Sequence, residues 1–386
     1  SKREELLHRL TAMGITVLIA RYLGEKREDQ IGSIIGGGTV VFAAISLVLF
    51  VIMVGFARPI AVLMQAPEEA VGLTVAYIRI CGAGIFFIVA YNVLSAIFRG
   101  LGDSNSPLLF VFVACIVNVV GDLVLVAGLG MDAMGAALAT VFAQALSVVF
   151  AIVRLVKKGL PFTITGYDFR WNPQCGKFLQ IGLPLALQEC LTQGSFLALC
   201  AFVNRLGLEA SSGYGVACKI VNFAMLIPSA LMQSTSSFVS QNVGAGEQKR
   251  AKKTMFTGIG IGLLVGCFAF SLVFFRGDLL AGIFSADAAV VQRGYEYLKG
   301  FAPETLLTAV LFSMMGYFNG NGKTVWVMLQ GLIQTLLVRL PFAYYMSIQP
   351  DASLTNIGLA APISTAVGIV LNVAFFLYLE HAAKRS

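Results

Sequence analysis

Apolar residues run along this chain in long unbroken stretches separated by short polar connections. A helix needs about 20 such residues to cross a hydrocarbon core roughly 30 Å thick. Ten stretches qualify, at 31–57, 71–101, 106–129, 133–157, 176–204, 210–243, 254–275, 288–320, 323–348 and 355–380. A shorter apolar piece, 10–20, precedes them and falls short of a span. Segments of alternating polarity, the mark of a membrane β-barrel, are absent. The pattern predicts an all-α polytopic membrane protein. Composition agrees: of 386 residues, 58% are hydrophobic and 12% charged, where soluble domains carry about 25% charged. A soluble enzyme, a nucleic-acid binder and a disordered scaffold are excluded.

The net charge of +7 follows from where the basic residues fall. One set of connections holds Arg21, Lys26, Arg27, Arg99, Arg154, Lys157, Lys158, Arg170, Lys249, Arg250, Lys252, Lys253, Lys323, Lys384 and Arg385; the alternate set holds Arg58, Arg205 and Arg276. Lysine and arginine accumulate on the cytoplasmic side. The C-terminus and the 21–30, 154–175 and 244–253 loops are therefore expected there, in a multi-pass protein of the cell (inner) membrane. The seven cysteines lie mostly inside apolar runs without CxxC spacing. They read as small buried hydrophobes, not as a disulfide frame or a metal site.

The chain also repeats itself. At an offset of 220, Gly24 falls on Gly244, Tyr77 on Tyr297, Arg79 on Lys299, and Phe98, Gly100 and Gly102 fall on Phe318, Gly320 and Gly322. Each half then holds an even number of spans in one orientation, a parallel repeat of the kind that builds two bundles around a transport cleft. The expected organisation is a charged cytoplasmic stub at 1–9, an N-terminal lobe at 10–157, a connector at 158–175 and a C-terminal lobe at 176–386. The second half opens near Gly176, whose counterpart would sit at 176 − 220 = −44. The first lobe is thus short by about a helix and a half. Six of residues 1–9 are ionisable, so the stub reads as a tail joined across that gap near Arg9–Leu10, or as the joint left by a truncated gene.

Four segments carry a likeness: TVLIARYLGEKRED (16–29), AIFRGLGDSNSP (96–107), IGLPLALQE (181–189) and SSFVSQNVGAGEQKRA (236–251). In this order the chain resembles the multidrug and toxic compound extrusion (MATE) transporters. The resemblance implies twelve helices in two six-helix lobes, of which about ten and a half are present here. It also implies export of amphipathic, often cationic, organic compounds against an inward flow of Na⁺ or H⁺. It places an acidic cation-site residue on the first helix, which this chain lacks.

An ionisable residue inside a span is costly and points to function. Asp122 lies in VNVVGDLVLV with Asn118 one turn earlier on the same face. Asp122 and Thr140 are equidistant from the turn near residue 131, so a hairpin brings them to one depth. A carboxylate, an amide oxygen and a hydroxyl suit a small alkali cation or a proton. They also read as a hydrogen-bonded pair pinning two helices. The same three positions match a cation site of the archaeal and related bacterial MATE branch. Glu189, about 19 Å into its span, stands beside Gln188 and after Pro184. It reads as a substrate or proton-coupling group, or as the ion-pair partner of Lys219 or Arg339. Tyr91, Asn92, Gln233 and Gln241 are candidate polar contacts of a cleft or interhelical hydrogen bonds. GIGIGLLVG (258–266) reads as a small-residue packing run, since it follows no strand.

The expected function is a cation-coupled antiporter working by alternating access, not an enzyme, with no cofactor beyond the coupling ion. Its expected partners are an amphipathic small molecule and the bilayer, without nucleic acid, in a monomer. A lipid-linked oligosaccharide flippase is the rival, though only Lys219 and Arg339 are available for a diphosphate. A non-transporting fragment is the third reading.

Overall fold

The computed structural model describes residues 15–26, 29–59, 71–103, 105–130, 133–158 and 173–385; the side chains of some of these, Tyr77 and Glu189 among them, lie outside the description. The 1–9 stub and nearly all of the 158–175 connector also lie outside the described residues. Among them every regular element is a helix. The chain divides into two compact units, Ser1–Leu183 and Pro184–Ser386.

The first unit contains α1 (Ile15–Gly24), α2 (Asp29–Gly55), α3 (Val71–Ala83), α4 (Ile85–Gly100), α5 (Asn105–Asp122) and α6 (Ala133–Lys158), and it takes the start of α7 (Pro173–Asn204). Although only half a span long, α1 is deeply buried. Thr16 Oγ1 donates to the Ala96 carbonyl at 2.9 Å, and a Cβ on Gly100 would stand 2.8 Å from Ile19 Cβ. The unit's aromatic core joins α4, α5 and α6, with Phe98 edge-on to Phe110 at 5.2 Å and Phe110 edge-on to Phe150 at 5.8 Å. The 71–101 stretch, expected as one span, is two helices meeting at Gly84. A Cβ there would lie 2.5 Å from a methyl of Val141, so the break is where α6 comes closest.

The second unit contains the rest of α7 with α8 (Leu208–Ala224), α9 (Leu226–Gly244), α10 (Gln248–Phe284), α11 (Ala288–Phe301) and α12 (Glu304–Gly320). It continues with α13 (Thr324–Leu332), a widened turn at Ile333–Arg339, α14 (Leu340–Ser347), α15 (Leu354–Gly358) and α16 (Ala360–Arg385). The 288–320 stretch is a bent pair, α11 and α12, at 48° around Pro303. The basic cluster at 249–253 is the opening of α10, not a loop. In the glycine run, Gly262 packs on Ala309 and Gly266 on the Thr305 carbonyl, both under 3.0 Å from a built Cβ, while Gly260 meets nothing. One face of α10 is therefore stripped of side chains for close approach to α12.

Among the described residues eight helices are long and apolar enough to span a bilayer, or nine with the bent pair as one span. Polarity is turned outside in. Leu264, Phe268 and Val156 are more than two-thirds exposed, while Ser313, Asn319, Gln330 and Asn372 are fully buried. Such a surface is stable against lipid and not against water. The six cysteines whose side chains are described are free. Only Cys81 is buried; Cys115, Cys190 and Cys267 are exposed. That corrects the expectation of a buried set, because an apolar run facing lipid places half of its small hydrophobes outward.

The repeat is visible in the backbone. After α4 the chain turns with Asp103 N on the Phe98 carbonyl (2.9 Å) and Gly102 N on that of Arg99 (3.1 Å); after α12, Lys323 N meets Phe318 (2.8 Å) and Gly322 N meets Asn319 (3.0 Å). Gly102 and Gly322 both adopt positive φ, 85° and 78°, closing a Schellman-type cap. Lys26 (φ 59°) and Gly246 (φ 78°) make a second pair at the same 220-residue offset. The helix that follows the first pair widens to i→i+5 bonding in both halves, at Leu123–Gly128 after α5 and at Ile333–Arg339 after α13.

Candidate functional site

In the first unit α5 and α6 form the expected hairpin, and its register is set by a contact of small residues. A Cβ on Gly121 would stand 2.9 Å from Ala139 Cβ, so the neighbours of these two residues, Asp122 and Thr140, lie at one level. Asn118 and Asp122 are half-buried, and the Oδ1 atom of each is buried without a hydrogen-bond partner among the described residues. Thr140 has a partner of its own. One turn beyond it on α6, the buried Oε1 of Gln144 is also unpartnered. Sequence reading missed Gln144, although it shares a helix face with Thr140 by i, i+4 spacing. Unpartnered buried oxygens are uncommon and call for an explanation. Amide and carboxylate oxygens are the donors that hard alkali cations take, so this set fits Na⁺ as well as a proton. Directly after Asp122 the helix widens, and Leu129 N reaches back to the Val124 carbonyl at 3.0 Å; such widened turns recur at functional positions.

The other first-unit candidates lie elsewhere. Tyr91 is packed with Phe98, Phe110, Val148 and Ala151 in the apolar core. Asn92, 3% exposed, has a buried Nδ2 without a partner among the described residues.

In the second unit Gln188 and Gln241 are half-buried, and the side chain of Glu189 lies outside the described residues. Gln188 enters a cluster that sequence reading did not assemble. Its amide fills the space left by Gly331, where a Cβ would stand 2.5 Å from Nε2. Glu304, the first residue of α12, is 5% exposed. Its Oε1 accepts from Thr365 Oγ1 at 2.7 Å, and Thr365 Oγ1 accepts from Gln334 Nε2 at 3.3 Å. Gln334 Oε1 in turn accepts from Gln330 Nε2. Glu304 Oε2 is buried and unpartnered among the described residues. Arg339, 7% exposed, donates from Nε to Ser364 Oγ at 3.1 Å and lies over the Phe196 ring at 5.7 Å. Its charge reaches Glu304 without closing an ion pair. Among the described acids Glu304 is the one that feels the Arg339 charge; Glu189, the expected partner, has its side chain outside the described residues. Lys219, expected deep and paired, is exposed, 5.5 Å from the Phe284 ring centre. The Phe284 ring is the apolar surface against which its ammonium stands. Glu304 had one signal in the sequence: it is the midpoint of the 288–320 stretch.

The model of the MatE family matches residues 9–124 and 184–345, most of both units. The chain belongs to the MatE family. Among curated relatives, the probable multidrug resistance protein YpnP of Bacillus subtilis is 27% identical over 286 residues, 74% of this chain and 64% of its own length. The multidrug export protein MepA of Staphylococcus aureus is 26% identical over 339 residues, 85% of this chain and 73% of its own. The fold is that of a solved outward-facing multidrug resistance MATE family transporter of the MOP superfamily. The two superpose with a TM-score of 0.93 at 20% identity, over 98% of this chain and 85% of that one. The family resemblance carried by the four sequence segments is therefore correct, as is the all-α membrane fold.

Proposed function

We propose that this chain exports amphipathic, mainly cationic, organic compounds in exchange for an inward-moving Na⁺ or H⁺, with Asp122 as the coupling carboxylate and Asn118 and Thr140 beside it. The observation that carries the proposal is the pair of buried Oδ1 atoms of Asn118 and Asp122, one turn apart on α5 and without a hydrogen-bond partner among the described residues. The names of YpnP and MepA support the multidrug part. Coupling requires the ion to bind one conformation better than another; a shift from 1:99 to 99:1 needs roughly 10⁴-fold preference. A carboxylate that exchanges an unpartnered state for a bound cation supplies a difference of this kind. The mode of action we infer is alternating access, with the second unit contributing Gln188, Glu189 and Gln241 toward substrate. Arg339 is the sole deeply buried cation among the spans' described residues, a small set of charges for a pocket that would hold a lipid-linked diphosphate.

The test is efflux of a fluorescent organic cation from proteoliposomes under an imposed Na⁺ or H⁺ gradient. Asp122→Asn is expected to abolish gradient-driven efflux while leaving helix content and dye binding unchanged. Wild-type efflux rates in that variant would overturn the assignment. A second reading, favoured by the unpartnered Oε2 of Glu304, places the coupling carboxylate in the second unit. It predicts that Glu304→Gln abolishes coupling and Asp122→Asn does not.

A further inference from the structure

At the end of α6 that the lysine and arginine asymmetry assigns to the cytoplasm, a cleft of about 480 Å³ has Phe150, Val153, Arg154 and Lys157 as the described residues of its lining. The spacing i, i+3, i+4, i+7 puts all four on one helix face. Polarity changes along that face. Phe150 is fixed against Phe110 at 5.8 Å, Val153 is 45% exposed within an apolar outer surface that includes Val149 and Val156, and the two cations stand one turn further out.

Arg154 is held in place, unlike a freely solvated interfacial arginine. Its Nε donates to Ser106 Oγ at 2.6 Å, and Ser106 Oγ donates to Asp103 Oδ2 at 2.6 Å. Asp103 Oδ1 also accepts from Ser106 N at 3.1 Å. Asp103 is thereby engaged with the start of α5, and the terminal guanidinium nitrogens of Arg154 make no ion pair among the described residues. Lys157 is exposed and likewise makes no ion pair there. In the second unit Lys252, at the start of α10, is paired with Glu380 near the end of α16, whereas Arg154 and Lys157 over their apolar wall close no ion pair among the described residues. An oriented guanidinium and an ammonium beside a lipid-facing apolar groove complement a phosphodiester carrying acyl chains.

We propose that this cleft is a binding site for an anionic phospholipid, with the headgroup phosphate on Arg154 and Lys157 and one acyl chain along Val153 and Phe150.

The test is native mass spectrometry of the whole chain in mild detergent, titrated with phosphatidylglycerol and, separately, with phosphatidylcholine. Phosphatidylglycerol is expected to stay bound where phosphatidylcholine does not. Lys157 is exposed and closes no ion pair among the described residues, and Lys157→Gln is expected to weaken phosphatidylglycerol about fivefold; adding Arg154→Gln is expected to bring the loss to about thirtyfold, following the usual contribution of one interfacial cation. Equal retention of the two lipids, or an unchanged affinity in Lys157→Gln, would overturn the proposal. Displacement of the lipid by excess inorganic phosphate would overturn it too, since it would mark a site for the free ion.

Discussion

Replacing Thr365 by valine keeps the side chain's shape and deletes one hydroxyl, which makes it a direct probe of the Glu304 cluster. The hydroxyl does two things: it donates to Glu304 Oε1 at 2.7 Å and accepts from Gln334 Nε2 at 3.3 Å. The second bond is long and contributes little. The first is short and leads to a carboxyl whose other oxygen is already unpartnered. After the substitution neither oxygen of Glu304 has a partner among the described residues. A hydrogen bond to a charged group contributes about 1.5–3 kcal/mol in water-soluble proteins. Interhelical bonds within membranes average about 0.6 and reach about 1.7 kcal/mol. The membrane figure governs here, because the unfolded chain in lipid also finds partners, and burial puts Glu304 toward its upper end. Thr365→Val should therefore cost about 1.5 kcal/mol, a fall of roughly 3–6 °C in melting temperature for a unit of this size. Thermal unfolding in detergent, read on wild type, Thr365→Val, Glu304→Gln and the double variant, completes the cycle. A coupling energy of about 0.6 kcal/mol or more is expected. If Thr365→Val costs nothing, or costs the same with and without Glu304, the hydroxyl does not hold the carboxyl and the cluster is not a unit.

Two further expectations follow from the same packing. Arg339→Met removes the cation whose charge reaches Glu304 and leaves Ser364 without its donor, and should destabilise by about 1–3 kcal/mol, the usual penalty for a buried polar group left without its partner; adding Glu304→Gln should recover part of that loss in the same melting assay, and no recovery would show that the two charges are independent. Gly300→Ala should lower folded yield sharply, because the new Cβ would stand 2.0 Å from the Thr355 carbonyl oxygen, backbone that cannot turn aside. Overpacking of this kind costs about 1–3 kcal/mol or more, whereas Gly260→Ala, which meets nothing, serves as the silent control in size-exclusion chromatography.

Each level of the structure was legible to the extent that it is local. The similar depth of Asp122 and Thr140 was legible because two helices joined by a tight turn have one register, and the Gly121–Ala139 contact is what fixes it. Gln144 was within the same reach and was passed over. Lys219 misled because an apolar run around a lysine looks the same whether that lysine is buried or, as here, exposed. Tyr91 could be read as a cleft contact or as an interhelical hydrogen bond, and the structure adds that its ring packs in the core with Phe98 and Phe110.

Hydropathy alone determined the class and most of the spans, since lipid forces every backbone polar group into a helix of at least membrane length. The 220-residue repeat was likewise written in the chain, down to the glycine turns at Gly102 and Gly322, because such turns need a residue that tolerates positive φ. Only the tertiary structure decided which polar groups became one site. Glu304 meets Thr365 across 61 residues, Thr365 meets Gln334 across 31, and Arg339 meets Ser364 across 25. No periodicity records such distances. They exist because burial leaves these groups no water and therefore no partners but one another.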